Sequence, residues 1–340
     1  MRLALDAMGG DYAPTLIVQG AIQAVEEHDF EVVLVGNEKS IQKVLAKENF
    51  YSPKLTIKHA SQVVGMSEAP SFVLRQKKDA SVRVAVELVR TAEAQAVVSA
   101  GNSGVTMALS QLLLGRINGV DRVAIAVQMP TLKGRSILID AGANVDCKPL
   151  HLFQFAIMGE AYATAILGLS EPKIGLLSIG EEDAKGNTLT KESFKLLEQL
   201  GKNFIGNIEG KDLFKGKADV IVCDGFVGNI ALKIAEGVVE ATTLMMKSEV
   251  RKRPLSILGY LCMRPTLQLF KKKMDYAEYG GAPLLGLNNI SIISHGRSSP
   301  RAIKNALKIA AELSQKKLAE TMAVELGSKM LQGVYVANKN

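Results

Sequence analysis

Short runs of apolar residues alternate along most of the chain with longer stretches in which apolar residues recur at helical spacing. The short runs are apolar on both faces, which is typical of strands in a parallel sheet covered by helices on both sides. The predicted strands are residues 2–8, 31–36, 55–59, 96–99, 122–128, 136–141, 173–179, 204–208, 219–223 and 290–294. The predicted helices are residues 15–27, 39–47, 82–94, 103–114, 149–167, 191–200, 227–250 and 300–322. This alternation predicts one α/β unit over residues 1–340, with a mainly parallel sheet as the middle of three layers.

Six of the predicted strands are followed by loops that combine glycine with Asp, Asn, Ser or Lys. Ligands of open α/β sheets bind beyond the carboxyl ends of parallel strands, so we expect all six loops at one edge of the sheet. The loops are residues 6–11 (DAMGGD), 100–104 (AGNSG), 140–149 (DAGANVDCKP), 180–187 (GEEDAKGN), 224–229 (DGFVGN) and 295–299 (HGRSS). Glycine lets an anion approach the backbone, and helix N-termini offer unpaired N–H groups. Together the loops predict a cleft for a small anionic group, with phosphate preferred.

Each loop taken alone also has a plainer interpretation. Asn102 and Ser103 are preferred helix caps, and the 224–229 loop is typical of a tight turn between a strand and a helix. Lys185 follows three acidic residues, and it is able to pair with them instead of with phosphate. His295 directly follows a predicted strand and is a candidate acid, base or hydrogen-bond donor.

The cysteines and histidines predict neither disulfides nor a metal site. Cys147, Cys223 and Cys262 are widely spaced and form no disulfide framework, and the four histidines have no zinc spacing. Asp140 and Asp146 suit magnesium chemically, but magnesium takes few protein ligands, so their spacing carries little weight. The chain is therefore expected to be reduced, cytoplasmic and without a metal.

Composition argues against several classes of protein. Tryptophan is absent and aromatic residues make up 5%, which disfavours a stacking platform for single-stranded nucleic acid. The amino-terminal apolar stretch is too short for a signal peptide, and Asp6 interrupts it. The longest uncharged run, 94–115, contains Gly101 and Asn102, which indicate a turn instead of a membrane span. The net charge of +7, from 41 basic and 34 acidic residues, predicts an anionic partner.

Basic charge is concentrated in residues 247–273. This segment has eight basic residues against the single acidic residue Glu249, so its net charge is +7. Between its basic ends, residues 254–263 are apolar but too few to span a bilayer, and they suit the membrane interface. The alternative is a surface helical hairpin whose apolar residues pack in a dimer. We therefore predict long helices over residues 227–275 that carry such a hairpin.

Seven motifs, in order along nearly the whole chain, resemble the bacterial phosphate acyltransferases of phospholipid synthesis, the PlsX family. The motifs are DAMGGD at 6–11, SAGNSG at 99–104, DAGANVDCKP at 140–149, GEEDAKGN at 180–187, DGFVGN at 224–229, YGGAPLLGL at 279–287 and HG at 295–296. The resemblance implies a fold similar to the phosphotransacetylases and the isocitrate/isopropylmalate dehydrogenases. The sequence departs from the family at Tyr12, Ser103 and Arg297, where His, Thr and a small residue are usual.

The resemblance also implies an activity and partners. The implied reaction converts a long-chain acyl–acyl carrier protein and inorganic phosphate into acyl phosphate and free carrier protein, without a cofactor. Acyl phosphate then feeds the membrane glycerol-3-phosphate acyltransferase and phosphatidic acid synthesis. The implied protein is a cytoplasmic homodimer held peripherally at the inner face of the cell membrane, with no nucleic acid as partner.

The loops and the resemblance together suggest direct attack of phosphate on the thioester, without a Ser or Cys nucleophile. The proposed catalytic residues are Asn102, Ser103, Lys185, Asp224, Asn229 and His295. The residues expected to bind phosphate or substrate are Asp6, Gly9, Gly10, Asp11, Gly101, Gly104, Asp140, Asn144, Asp146, Lys148, Gly186, Asn187 and Gly228. Those expected to contact the carrier protein or the membrane are Arg251, Lys252, Arg253, Leu255, Ile257, Leu258, Leu261, Arg264, Lys271, Lys272 and Lys273. An aliphatic groove near residues 284–287 is a candidate for the acyl chain.

Three other functions stay open at this point. A short-chain phosphotransacylase that uses coenzyme A would need the same loops but would not explain residues 247–273. A nicotinamide-dependent decarboxylating dehydrogenase would need acidic metal ligands and several arginines, whereas Arg297 is the one arginine in the six loops. A non-catalytic scaffold for carrier protein at the membrane would leave the phosphate-type loops unexplained.

Overall fold

The computed structural model describes residues 1–252, 254–274 and 279–337, and its eleven described strands form one sheet. The strands are β1 (Arg2–Asp6), β2 (Glu31–Gly36), β3 (Leu55–His59), β4 (Ala96–Ser99), β5 (Ala124–Thr131), β6 (Gly134–Ile139), β7 (Ile174–Ser178), β8 (Phe204–Glu209), β9 (Val220–Val222), β10 (Ala282–Leu285) and β11 (Ile290–Ile293). They lie in the order β3-β2-β1-β4-β11-β10-β5-β6-β9-β7-β8. Most described strand pairs are parallel, as the sequence predicts.

The helices cover the sheet. They are α1 (Thr15–Glu27), α2 (Glu38–Lys47), α3 (Pro70–Gln76), α4 (Ser81–Arg90), α5 (Ser103–Leu114), α6 (Pro149–Leu167), α7 (Thr188–Leu197), α8 (Gly225–Arg251), α9 (Pro254–Met274), α10 (Pro300–Gln315) and α11 (Leu318–Ala337). Short 3-10 helices occupy Glu198–Asn203 and Gly210–Asp212. Aliphatic side chains from both faces of the sheet form the core with these helices.

The sheet reverses its direction in the middle. β10 pairs antiparallel with β11 and with β5, and β5 pairs antiparallel with β6, while the other described pairs are parallel. Strand direction reverses at each of these three antiparallel pairings. As a result, β6 to β9 run opposite to β1 to β4 and β11. The expectation that all six glycine loops share one edge is therefore wrong. The loops after β1, β4 and β11 leave one edge, and those after β6, β7 and β9 leave the other.

Several predicted elements have the observed bounds, whereas three features were not foreseen. α1, α5, α6, β2, β3 and β4 begin and end as predicted. The short α3 and β10 were missed because neither has enough residues to establish a periodic pattern. The predicted helix 300–322 is broken in two, because Lys317 has a φ of 50° in the left-handed region.

Helix α6 is an apolar helix of the protein core. It is the one described helix long and apolar enough to cross a membrane, but 67% of its apolar window is buried within the protein. Phe155 and Tyr162 on this helix are fully buried between the sheet and neighbouring helices. Burial inside the protein, and not a bilayer, therefore accounts for its apolar composition.

Helices α8 and α9 form a hairpin that exposes apolar side chains. α8 has 27 residues and α9 has 21, and the two helices pack on each other. Ile234 is 61% exposed on α8, and Leu255 and Leu258 are 81% and 60% exposed on α9. Exposed apolar surface of this kind marks a contact surface for another protein or a membrane.

Candidate active site

A cavity of about 340 Å³, called the central cavity below, lies between the loops that follow β1, β4 and β11 and the second and third turns of α8. Its floor is apolar and comes from the middle strands, through Ile125, Val127, Ala282 and Ile293. The loops contribute Asp11, Gly101, Ser103, His295, Gly296 and Ser298, and α8 contributes Asn229, Leu232, Lys233 and Glu236. Met66, Ala141, Gly281, Ser294 and Ala302 complete the lining. The cavity thus joins neutral donors, glycine backbone and a few charges over an apolar floor, as ligand sites generally do.

Asp6 holds the first two loops together from below the cavity. Its carboxylate is 2% exposed and accepts a hydrogen bond from Ser99 Oγ at 2.7 Å, and this hydroxyl accepts one from the Gly101 N–H at 3.1 Å. Burial raises the pKa of Asp6 despite hydrogen bonds from Ser81 and Ser99 that lower it. A Cβ at Gly9 would lie 2.5 Å from Asp6 Oδ2 and 2.7 Å from Gly101 N, so the loops approach too closely for any other residue. Asp6 and Gly9 therefore shape the site without lining the cavity.

Asn102 is a helix cap whose side chain is fully engaged. Its Oδ1 accepts from the Val105 N–H at 3.1 Å, which caps α5. Its Nδ2 donates to the carbonyls of Met66 at 2.9 Å and Glu68 at 3.0 Å. In this conformation the amide binds the 65–68 segment to α5, in agreement with the capping interpretation. The neighbouring Ser103 is exposed and lines the central cavity at the N-terminus of α5.

The loop after β11 is bound to the loop after β1. The Asp11 N–H donates to the Gly296 carbonyl at 2.8 Å, and Arg297 Nε lies 3.8 Å from Asp11 Oδ2. Gly10 has a φ of 112°, which favours glycine, and a Cβ there would lie 3.1 Å from the Gly296 oxygen. His295 Nδ1 accepts from the Arg297 N–H at 3.1 Å, so the hydrogen of the neutral ring is on Nε2. His295 is exposed at the cavity, and Nε2 of its neutral ring is a hydrogen-bond donor.

Asp140 organises the turn that brings Asn229 to the cavity from the other edge. It is fully buried, and burial raises its pKa. Its two oxygens accept from the N–H groups of Ile125 at 3.0 Å, Gly142 at 3.2 Å, Ala143 at 3.0 Å and Asn144 at 2.7 Å, and from Asn144 Nδ2 at 2.9 Å. The Gly225 N–H donates to the Asn144 carbonyl at 2.7 Å, and a Cβ at Gly228 would collide with the Asp140 carbonyl. Asp140, Asn144 and Gly228 thus fix the start of α8, one turn before Asn229.

Other candidates lie in a second cavity of about 350 Å³ at the ends of β7 and β9. Gly186, Asn187 and Asp224 line it, whereas none of them lines the central cavity. Asn187 caps α7 by accepting from the Thr190 N–H at 2.9 Å, and Asp224 caps α8 by accepting from the Val227 N–H at 2.9 Å. The sequence placed these residues in one cleft with the 100–104 and 295–299 loops. The reversal of the sheet separates them.

Three charged candidates are placed in neither cavity. Lys185, Asp146 and Lys148 are exposed and line neither the central nor the second cavity. The Lys148 N–H donates to His151 Nδ1 at 3.1 Å at the start of α6. Within residues 1–252, 254–274 and 279–337, no cluster of three or more His, Cys, Asp or Glu side chains is arranged to hold a metal ion.

The cysteines near these loops are poor nucleophiles. Burial and the nearby Asp140 carboxylate raise the pKa of Cys147 to about 12. The same two causes raise the pKa of the buried Cys223. A thiol is nucleophilic as its thiolate, so neither residue is activated near neutral pH. Cys223 is buried in the core and Cys147 is half-buried beside it, so both contribute to packing.

Lys233, Glu236 and Ser294 also line the central cavity, and no sequence motif had pointed to them. Lys233 Nζ pairs with Glu236 Oε2 at 2.8 Å, and Ser294 is 5% exposed at the end of β11. The signal for the first two was present, because residues 229, 232, 233 and 236 share one face of a helix that begins in the DGFVGN loop. The prediction considered the loop residues alone and not the helix that follows the loop.

The expected aliphatic groove near residues 284–287 is absent from its predicted place. Leu284, Leu285 and Leu287 are 3%, 1% and 1% exposed and belong to the core. An apolar groove of about 620 Å³ instead follows the other side of α8. Its lining includes Leu213, Phe214, Val227, Ile230, Ile234 and Val238.

Most of the basic and apolar segment lies on the described part of the α8–α9 hairpin. Arg251, Lys252 and Arg264 are exposed, and Lys252 Nζ lies 2.5 Å from Glu249 Oε1. Ile257 and Leu261 are 43% and 56% exposed, next to the still more exposed Leu255 and Leu258. Arg253 lies outside the described residues, and the side chains of Lys271, Lys272 and Lys273 lie outside the described part of the chain.

Comparison with known protein families gives a match over most of the chain. The family model described as "Fatty acid synthesis protein" matches residues 1–321. A protein named phosphate acyltransferase from Geotalea uraniireducens is 52% identical over 326 residues, which are 96% of this chain and 94% of that protein. A protein of the same name from Thermodesulfovibrio yellowstonii is 54% identical over 318 residues, which are 94% and 92% of the two chains.

Solved structures share the fold at low sequence identity. A phosphotransacetylase from Streptococcus pyogenes superimposes with a TM-score of 0.66 at 19% identity, over 93% of this chain and 94% of that chain. A 4-hydroxythreonine-4-phosphate dehydrogenase from Klebsiella pneumoniae gives a TM-score of 0.52 at 14% identity, over 93% and 99%. The predicted relation of the fold to phosphotransacetylases and to dehydrogenases is confirmed.

Proposed function

Because this chain belongs to the family of the phosphate acyltransferases and is an acyltransferase, we propose that it transfers a long-chain acyl group from acyl carrier protein to inorganic phosphate. The observation that supports this proposal most directly is the central cavity. There the glycine loop and the N-terminus of α5 face Asn229 across an apolar floor. Helix N-termini and glycine backbone bind anions, and an apolar floor suits an acyl thioester.

The proposed reaction requires no covalent enzyme intermediate. An oxygen of HPO₄²⁻ attacks the thioester carbonyl, a C–O bond forms, and the C–S bond breaks. The P–OH proton ends on the sulfur of the carrier, so the products are acyl phosphate and the free thiol. Ser103, the Gly101 backbone and Asn229 are the candidate donors for the phosphate and the tetrahedral oxyanion, and His295 Nε2 is the candidate donor to the leaving sulfur.

A turnover assay with palmitoyl–acyl carrier protein and phosphate tests this function. Its readouts are the free carrier thiol and an acyl phosphate that hydroxylamine traps. We expect thiol release that depends on phosphate, with trapped product in equal amount. Thiol release without phosphate would instead indicate a thioesterase. Higher kcat/KM with short-chain acyl–coenzyme A than with the carrier substrate would favour the phosphotransacylase alternative.

We also propose that the α8–α9 hairpin serves a homodimer and a membrane contact. The exposed apolar side chains of α8 supply a surface that a second copy can cover. Leu255, Leu258 and Leu261, next to Arg251 and Lys252, suit insertion among anionic lipids. This location would place the enzyme in the cytoplasm at the inner face of the cell membrane. There it would hand acyl phosphate to a membrane glycerol-3-phosphate acyltransferase for phosphatidic acid synthesis, with no nucleic acid as partner.

A further inference from the structure

Lys233 is the one lysine or arginine among the described residues that line the central cavity. It lies one helical turn after Asn229 on the same face of α8, and its side chain is 52% exposed. The two lysines that the sequence offered for phosphate, Lys148 and Lys185, line no part of this cavity. An anion in the cavity therefore meets the ammonium of Lys233.

Glu236 is an unusual residue for an anion site, and one of its oxygens has no partner. Oε2 pairs with Lys233 Nζ at 2.8 Å, whereas Oε1 is buried and no described residue donates to it. A buried acceptor without a donor is costly, so a water molecule or a ligand is expected to supply one. Glu236 lines the central cavity, and the terminal torsion of a glutamate is broad, so a rotation of the carboxylate is enough to present it to a ligand there.

We infer that Lys233 and Glu236 together form a subsite for protonated phosphate, an inference that rests on the proposed function. Lys233 donates to the ionised oxygens, and Glu236 accepts the hydrogen bond of the remaining P–OH. Inorganic phosphate keeps a P–OH near neutral pH, whereas sulfate has none. Facing sulfate, Glu236 would present one anion to another without a proton between them. The pair thus explains both the unpartnered oxygen and a carboxylate in an anion site.

Titration calorimetry with inorganic phosphate, arsenate and sulfate on the full-length protein tests the inference. Arsenate is protonated like phosphate, so it is expected to bind similarly, and sulfate is expected to bind at least about tenfold more weakly, the value of one charge-assisted hydrogen bond. This comparison uses the unaltered protein and depends on no variant. Equal affinity for sulfate and phosphate overturns the inference.

Two substitutions separate the roles of the pair. Glu236→Gln nearly preserves shape and introduces an N–H donor, so the preference for phosphate over sulfate is expected to fall about tenfold. Lys233→Met is expected to weaken the binding of phosphate and of sulfate by a similar factor. Lys233→Arg is expected to retain part of the affinity that Lys233→Met loses. The matched control is Glu240→Gln, an exposed glutamate one turn further along α8, which is expected to change nothing.

The inference and the proposed function can be disproved independently of each other. If wild-type protein makes acyl phosphate but Glu236→Gln keeps the full preference over sulfate, the inference is wrong and the function stands. If wild-type protein prefers phosphate through this pair but makes no acyl phosphate, the subsite stands and the proposed function is wrong. Thermal melting of each variant identifies any that is unfolded, and the wild-type anion comparison then decides.

Discussion

At the scale of single residues, the polar side chains divide into those that build the loops and those that face the cavity. Asp6 and Asp140 are both buried and accept hydrogen bonds from backbone N–H groups of their own loops, Met8 and Asn144 respectively, so each fixes a turn. Ser103, Asn229 and His295 are exposed at the central cavity. The sequence marks both groups with the same residue types, because glycine, Asp and Asn serve tight turns as well as ligands.

The two asparagines are expected to respond differently to substitution. Asn102→Asp keeps an oxygen to cap α5 but loses the two donors to the 65–68 segment, so we expect a lower Tm together with lower turnover. Asn229→Ala is expected to keep the Tm and lower kcat about a hundredfold, because Asn229 lines the cavity in which the reacting groups are proposed to bind. Turnover and differential scanning fluorimetry measure both effects. An unchanged kcat in folded Asn229→Ala would remove this residue from the mechanism.

Thiol reactivity tests the electrostatics around the second cavity. The raised pKa values of Cys147 and Cys223 leave almost no thiolate at pH 8, so iodoacetamide is expected to spare both in the folded protein. Cys262 is exposed on α9 and is expected to react first. Mass spectrometry before and after addition of denaturant measures the order. Cys147→Ser is expected to retain turnover. Loss of turnover in this variant would contradict a merely structural role of Cys147.

At the scale of elements, the break between α10 and α11 is set by backbone strain at one residue. Lys317 has a φ of 50°, which costs a residue with a Cβ about 1 kcal/mol that glycine does not incur. We therefore expect Lys317→Gly to raise the free energy of unfolding by up to about 1 kcal/mol in urea titrations. Lys316→Gly is the matched control, because Lys316 has a φ of −81° and glycine there is expected to destabilise.

Helix α11 carries a carboxylate whose burial makes the stability depend on pH. Glu325 Oε2 is buried, and no described residue donates to it. Burial and the nearby Glu160 raise the pKa of Glu325, although the nearby Lys329 acts to lower it. A raised pKa means that the folded state favours the protonated form. Its contribution to stability is therefore complete below the unfolded value near 4.5 and is lost as pH rises through the folded value.

Glu325→Gln is consequently expected to stabilise the protein near pH 7 by about 1 kcal/mol and to have no effect at pH values below 4. Urea unfolding at a series of pH values measures the difference between the variant and wild type. Equal stability of the two proteins at pH 7 would show that the carboxylate is solvated or paired. The exposed Glu320→Gln on the same helix serves as the control.

At the scale of the whole molecule, the α8–α9 hairpin is the surface that we propose contacts the membrane. Replacing Leu255, Leu258 and Leu261 by serine is expected to reduce flotation with phosphatidylglycerol vesicles about tenfold or more, since each loses burial in the interface. Light scattering is expected to give the same oligomeric state for the triple variant and for the wild type. Leu132→Ser, which alters a leucine 87% exposed in the β5–β6 turn, is expected to change neither measurement. Undiminished flotation of the triple variant would contradict the membrane contact.

The sequence by itself determined the fold class, most elements and the glycine loops. Hydrophobic periodicity is local, so α1, α5 and α6 were predicted to the residue, and Asn102 marks the start of α5 by a cap that acts within one turn. The family followed from ordered motifs that are also local. None of these signals depends on which strands are neighbours.

Only the tertiary structure decided which loops meet. β10 has four residues, too few for a pattern, and its two antiparallel pairings leave β5 parallel to β11. The antiparallel pairing of β5 with β6 then reverses β6 to β9 and moves residues 180–187 away from residues 100–104. Lys233 and Glu236 line the cavity because α8 lies beside the middle strands, a packing relation that joins residues distant in the chain. Strand pairing and helix packing are long-range contacts, so the composition of a single loop does not reveal which site it serves.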